Sequence, residues 1–321
     1  LSEMNRRHFI RSTSRAAMAM PFLKLPTFMK EMRMGIVVHS YASRWNSKIE
    51  SAKYPGFKDA IDLMEHCQKI GAGGVQVNVH DWSQDFSRKV RDRREELGLF
   101  LEGSISLPKD RGDVDRFDKE ILAAKEAGSS IVRTVCLSGR RYENFKSLPA
   151  FKEFAKNAGA SLELAEGVVR KHKVRLAIEN HKDWRSPELV DIMKKMDSEW
   201  IGVTLDFGNN VALIEDPMEV VKALAPYAFT THVKDMGVRE YEEGFLLSEV
   251  PLGKGVLDLR KMFDICRANR EDINFNLEMI TRDPLKIPCL TDEFWETLPS
   301  VPPRDIASTL RIVKQHPFKP A

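Results

Sequence analysis

Four side chains able to bind a hard cation stand at the ends of four successive apolar runs: Glu179 in RLAIEN, Asp206 in VTLDFGN, His232 in THVKD and Glu278 in NLEMI. Three carboxylates and an imidazole brought together make a mostly oxygen-donor site with room for water or substrate oxygens. That chemistry suits Mn²⁺, Mg²⁺ or Co²⁺, with Zn²⁺ less favoured. Each residue alone has a plainer reading, since an acid at a strand end is commonly a helix N-cap and a lone histidine is usually just hydrogen-bonded. Four such groups at corresponding positions are harder to read that way, because each would bring charge toward the same interior. Alternation points to a shared cavity: Thr204 lies on the face of Asp206, Thr230 on that of His232, and Asn274 and Asn276 on that of Glu278. One divalent ion per chain is expected.

These groups meet only if the runs that carry them are neighbouring parallel strands. From Met32 onward, short apolar runs alternate with longer amphipathic stretches, the pattern of βα units. The strand candidates are Met34–Ser40, Gly74–His80, Phe100–Leu107, Ile131–Leu137, Val174–Asn180, Ile201–Phe207, Phe229–Lys234 and Asn274–Ile280. Helical stretches such as FKDAIDLMEHCQKIG and DVDRFDKEILAAKEAG open on acidic residues and stop at Gly71 and Gly128. A long helix over Phe151–Lys171 is expected before the fifth strand. Eight units of about 35 residues each fit an α/β fold of the (β/α)8 TIM-barrel type, with residues 31–321 as one domain. A doubly wound sheet is disfavoured, because the first strand runs into HSYASRW with no GxGxxG or Walker pattern. The insertion MGVREYEEGFLLSEVPLGKG is expected to be a functional loop over the strand ends. The Pro-rich tail is expected to wrap the barrel before a last helix near Asp305–Lys314.

The order Glu179, Asp206, His232, Glu278 resembles that of the xylose isomerase-like TIM barrels, the sugar phosphate isomerase/epimerase superfamily that also includes the family 2 apurinic endonucleases. The resemblance covers roughly Met34 to Ile280. It implies one divalent metal held by those four side chains, with Glu179 and Glu278 also catalytic, exchanging a proton with a carbon next to a carbonyl. A metal-stabilised enediolate between two carboxylates is sound chemistry in its own right. The implied activity is a metal-dependent sugar isomerase or epimerase. One position departs from the epimerase pattern, where Asp-x-x-His often follows the sixth strand: here DFGN places Asn209, a residue type able to hydrogen-bond a sugar hydroxyl but not to titrate or readily bind metal. Asn209 and HVKD also remove histidine and acidic ligands that the endonucleases need for their zinc cluster.

Other polar strand ends are candidates for the sugar pocket: His39, His80, Glu102 and Arg133, then Arg140 and Arg141, then His181, Lys182 and Trp184, with Asn209 and Lys234. For each, an N-cap, a supporting bond to a ligand or a surface ion pair is an equally good reading, and Trp184 is as readily packing as a stacking platform. Lys234 shares the parity of His232, against a salt bridge to Asp235. The alternative activity is a lyase, hydratase or glycoside-cleaving enzyme on 3-keto sugars, and the weakest is a catalytically idle sugar-binding barrel.

The balance of 50 Lys+Arg against 47 Asp+Glu leaves +3, which gives no sign of a nucleic-acid surface. The expected partner is a small sugar or keto-sugar, and the resemblance allows a homo-oligomer. Cys67, Cys136, Cys266 and Cys289 form no Cys-x-x-Cys pair and read as buried thiols. NRRHFIRS resembles a twin-arginine export signal, though Arg15 and Lys24 interrupt its apolar stretch. Residues 1–30 are expected to be that signal, giving a periplasmic or exported protein, against a basic tail on a cytoplasmic one. No later run reaches the roughly 18 apolar residues of a membrane span.

Overall fold

Each apolar run becomes one strand of a ring in the computed structural model, which describes residues 34–45, 47 and 50–318. In chain order the strands are β1 (Gly35–Val37), β2 (Gly74–Asn78), β3 (Phe100–Ser104), β4 (Ile131–Thr134), β5 (Arg175–Glu179), β6 (Ile201–Asp206) and β7 (Ala228–Val233). An antiparallel pair follows, β8 (Asp235–Tyr241) and β9 (Gly244–Val250), then β10 (Asn274–Leu277) and β11 (Leu285–Ile287). The first seven strands and β10 close a parallel barrel in the order β1-β10-β7-β6-β5-β4-β3-β2, and β11-β9-β8 form a separate sheet. The (β/α)8 expectation is met. The stretch read as an export signal or tail lies outside the described residues.

The crossover helices are α1 (Ala60–Lys69), α2 (Gln84–Leu97), α3 (Val114–Glu126), α4 (Leu148–His172), α5 (Ser186–Met196), α6 (Pro217–Leu224) and α7 (Leu259–Asn269), with α8 (Pro303–Gln315) closing the chain. Their ends carry sequence-encoded stops. The Asp59 carboxylate accepts from the N–H groups of Ile61 and Asp62 at 2.8 and 3.1 Å, capping α1, while α2 ends on Gly98 at φ +64°.

The barrel strands are shorter than the apolar runs. β1 ends at Val37, because Val38–Tyr41 turn into a 3-10 helix, and β4 ends at Thr134 rather than Leu137. The residues beyond the strand ends are therefore loop residues above the barrel, where active groups of this fold sit. The insertion after β7 is a correction to the sequence reading. It is the β8–β9 hairpin, in register from Asp235↔Val250 to Tyr241↔Gly244 and extended by β11 from the tail. Lys234 alone separates it from β7.

The barrel interior is layered. At the strand starts, the Phe100 ring fills the space that a Cβ on Gly74 would need, at 2.4 Å, and Phe229 does the same at Gly202, at 2.6 Å. Above them Glu102 accepts hydrogen bonds from Gln76 Nε2, Thr230 Oγ1, Asn274 Nδ2 and Asn276 Nδ2 at 2.8–3.1 Å. The next layer holds the four predicted ligands. Register sets this: Asp206 pairs with His232, His232 with Asn276, and the Glu278 N–H donates to the Val233 carbonyl at 2.9 Å.

Candidate metal centre

Glu179, Asp206, His232 and Glu278 are all buried and each offers one ligand atom, the four atoms lying within 4.8 Å of one another. His232 Nδ1 faces Glu278 Oε2 at 3.4 Å, Glu179 Oε2 at 3.6 Å and Asp206 Oδ2 at 3.9 Å. Its Nε2 lies 2.7 Å from the Gln76 carbonyl oxygen, which accepts only if Nε2 carries the proton. In the neutral ring that leaves a lone pair on Nδ1 aimed at three carboxylates. Neither Nδ1 nor Asp206 Oδ2 makes a hydrogen bond in good geometry. Three carboxylate oxygens and one imidazole nitrogen converging in this way are a donor set that fits one divalent ion.

Without that ion the ring itself is the cation. Burial works to lower the His232 pKa, but Glu278 and Glu179 outweigh it and push it up to about 9. Burial would likewise raise both glutamates, yet Arg133 and His232 hold Glu179, and Lys234 and His232 hold Glu278, well below the usual carboxylate range.

Three buried basic side chains surround the cluster. Arg133 donates to Glu179 Oε2 from Nε at 2.7 Å and again from Nη2. Lys234 Nζ lies 2.6 Å from Glu278 Oε2 and 2.8 Å from Asp206 Oδ2. Asn209 links the groups: its Nδ2 donates to Glu179 Oε1 at 2.9 Å, while its Oδ1 accepts from Lys182 and, at 3.5 Å, from Lys234. Asp206 Oδ1 receives the Gly208 and Asn209 N–H groups at 2.9 and 2.8 Å, which leaves Oδ2 for the cluster. Lys234 thus pairs with ligand carboxylates; the Asp235 carboxylate instead accepts from the backbone N–H groups of Gly253, Gly255 and Leu257.

A cavity of about 700 Å³ opens beside the cluster, with His39, His80, Ser104, Arg133 and His181 in its wall. His39 bridges the two, its Nδ1 3.0 Å from Glu278 Oε1. His181 donates from Nδ1 to the Leu137 carbonyl at 3.0 Å, and burial drives its pKa down to about 3. His80 sits at the rim, paired with Glu120 at 2.9 Å. A groove of about 760 Å³ under α8 contains none of these groups.

Three pocket candidates are placed elsewhere. Trp184 is buried against Phe151 and Phe154, with ring centroids 5.5 Å away in both cases, and packs under α4. Arg141 stacks on Phe151 and binds Glu188 and the carbonyls of Asp183 and Thr297, so it ties the β4 loop to the tail. Glu102 lies one layer below the candidate ligands, its carboxylate taken up by Gln76, Thr230, Asn274 and Asn276. All three point away because aromatic packing or buried amide donors claimed them first. Gln76, which orients His232, was missed; an amide interrupting the apolar run GVQV was its signal.

Residues 64–296 match the xylose isomerase-like TIM barrel family, and the chain belongs to it. It is similar to a 3-oxo-isoapionate decarboxylase of Pectobacterium atrosepticum, 26% identical over 248 residues, covering 75% of this chain and 84% of that protein. Two solved structures share the fold. A xylose isomerase-like TIM barrel protein of Mycobacterium smegmatis in complex with magnesium is 16% identical with a TM-score of 0.59, covering 88% of this chain and 98% of that one. The 3-keto-D-glucoside 4-epimerase YcjR of E. coli is 12% identical with a TM-score of 0.59, covering 89% and 100%.

Proposed function

We propose that this chain is a divalent-metal-dependent enzyme that forms and quenches an enediolate beside the carbonyl of a keto sugar, as an isomerase or epimerase. The convergence of Glu179, Asp206, His232 and Glu278, with His232 Nδ1 turned into the carboxylates, carries this reading. A bound Mn²⁺, Mg²⁺, Co²⁺ or, less favoured, Zn²⁺ would supply Lewis-acid polarisation of the carbonyl. Glu278 exchanges the proton. It faces the cluster through Oε2 and the cavity-side His39 through Oε1. Arg133 and Lys234 add fixed positive charge where the enediolate develops.

A second reading has its own support. Two-base epimerisation needs proton uptake at Glu179 as well as at Glu278, although donors face every oxygen of both, Arg133 and Asn209 on Glu179 and His39 and Lys234 on Glu278. Decarboxylation of a 3-oxo sugar acid needs only one acid: the bond to the carboxyl carbon breaks, carbon dioxide leaves, the electron pair stays as the enediolate, and a proton then adds to carbon. The decarboxylase relative favours this variant.

Incubation of manganese-loaded protein in D₂O with keto sugars and 3-oxo sugar acids, followed by NMR, tests both. Deuterium next to the carbonyl with all carbons retained is the expected isomerase or epimerase result, and release of carbon dioxide with deuterium in its place marks the second reading. Absence of deuterium from every compound would overturn the proposal.

A further inference from the structure

Lys182 is the buried cation beside the cluster that lacks a carboxylate. Its residue is 4% exposed, and the hydrogen bond its ammonium makes is to the neutral Asn209 Oδ1. Lys234 approaches the same oxygen but also pairs with Asp206 and Glu278. Among the described residues no acid lies within ion-pair distance of Lys182, and burial lowers its pKa to about 8. An ammonium with three donors and one neutral acceptor is costly to bury.

The backbone at Lys182 is also held in an uncommon conformation. Asp81, Lys173, Asp197 and Ile214 have positive φ of 41–58°, near the left-handed helical well, whereas Lys182 lies at +93°. Its neighbours enforce this: the Lys182 carbonyl accepts from the Arg141 N–H at 3.0 Å, and the Asp183 carboxylate accepts from the N–H groups of His181, Trp184 and Leu137. Strain maintained by surrounding bonds is a mark of functional positions.

Charge decides what the ammonium would meet. Glu179, Asp206 and Glu278 already balance Arg133, Lys182 and Lys234, so a divalent ion would add positive charge that no side chain of the cluster neutralises. Resting on the metal-dependent reading above, we propose that Lys182 is a specificity residue that seats a carboxylate of the substrate, making that substrate a keto-sugar acid rather than a neutral keto sugar. Asn209 places this seat one amide from Glu179.

Hydroxypyruvate and dihydroxyacetone differ only in a carboxylate in place of a hydroxymethyl group; an α-keto carboxylate also chelates manganese, so the contact is read from the change in preference between wild type and variants. Calorimetric titration of both into manganese-loaded wild type, Lys182→Met and Lys182→Gln is the test, with manganese binding followed separately by EPR. Wild type is expected to favour hydroxypyruvate by about tenfold or more, and both variants to lose about tenfold of that preference, the scale of one charge-assisted hydrogen bond. Thermal melts add a readout that a structural lysine would move the other way: Lys182→Met should melt at the same temperature or higher, because it removes an unpaired buried charge. Equal affinities in wild type, a preference kept in full by both variants, or a lowered melting temperature in Lys182→Met would overturn the assignment. Failure of wild type to bind manganese would instead overturn the metal reading beneath it.

Discussion

His232 is oriented from behind by a chain of neutral and acidic groups, Gln76 against its Nε2 and Glu102 against Gln76. That support should be worth measurable metal affinity. Gln76→Met is expected to weaken manganese binding by about 10–100-fold while the protein stays folded, read by EPR titration and circular dichroism; unchanged affinity would mean that Gln76 only fills space. The protonation state of His232 gives a second expectation. In the metal-free protein its pKa is raised to about 9, so below that pH an incoming ion must displace a proton. Metal affinity should therefore rise with pH, by up to about tenfold per unit, and flatten above the histidine pKa. Calorimetry in buffers of different ionisation enthalpy should record one proton released per ion; zero protons below pH 9 would contradict the assignment of Nδ1 as a ligand.

At the scale of elements, the sequence carried the barrel and the four-residue cluster because both follow from short-range pattern. Apolar runs closed by polar residues mark strand ends, and period-two alternation names the inner face. What it did not carry depends on which neighbour reaches a side chain first. Trp184 follows Glu179 by five positions and looked like part of the same polar cluster, but Phe151 and Phe154 of α4, distant in sequence, enclose it. Trp184→Ala is accordingly expected to cost about 3–5 kcal/mol in denaturant unfolding, with probe affinity of the folded fraction unchanged. A stable variant with weakened probe binding would return Trp184 to the pocket. The hairpin after β7 was missed although its strands pair locally across Glu242 and Glu243, because that turn carries no Asn-Gly or Asp-Gly signal, and β11 joins only after 34 further residues.

For the molecule as a whole, the barrel brings three carboxylates and four basic side chains into one buried layer, and an ion held there would tie β5, β6, β7 and the end of β10 together in the folded state alone. At about a hundred times its dissociation constant, manganese is expected to stabilise the protein by roughly 2.7 kcal/mol, seen as a rise in melting temperature that EDTA reverses. A melt indifferent to manganese would show that Lys234 and the imidazolium already satisfy the layer. The placement of the ion itself is tested most directly by diffraction at the manganese absorption edge from crystals grown with MnCl₂. The expected result is one anomalous peak per chain, bonded to Glu179, Asp206, His232 Nδ1 and Glu278 and absent from a folded Glu179→Gln/Glu278→Gln variant. A peak elsewhere, or one that survives in that variant, would contradict the metal centre described here.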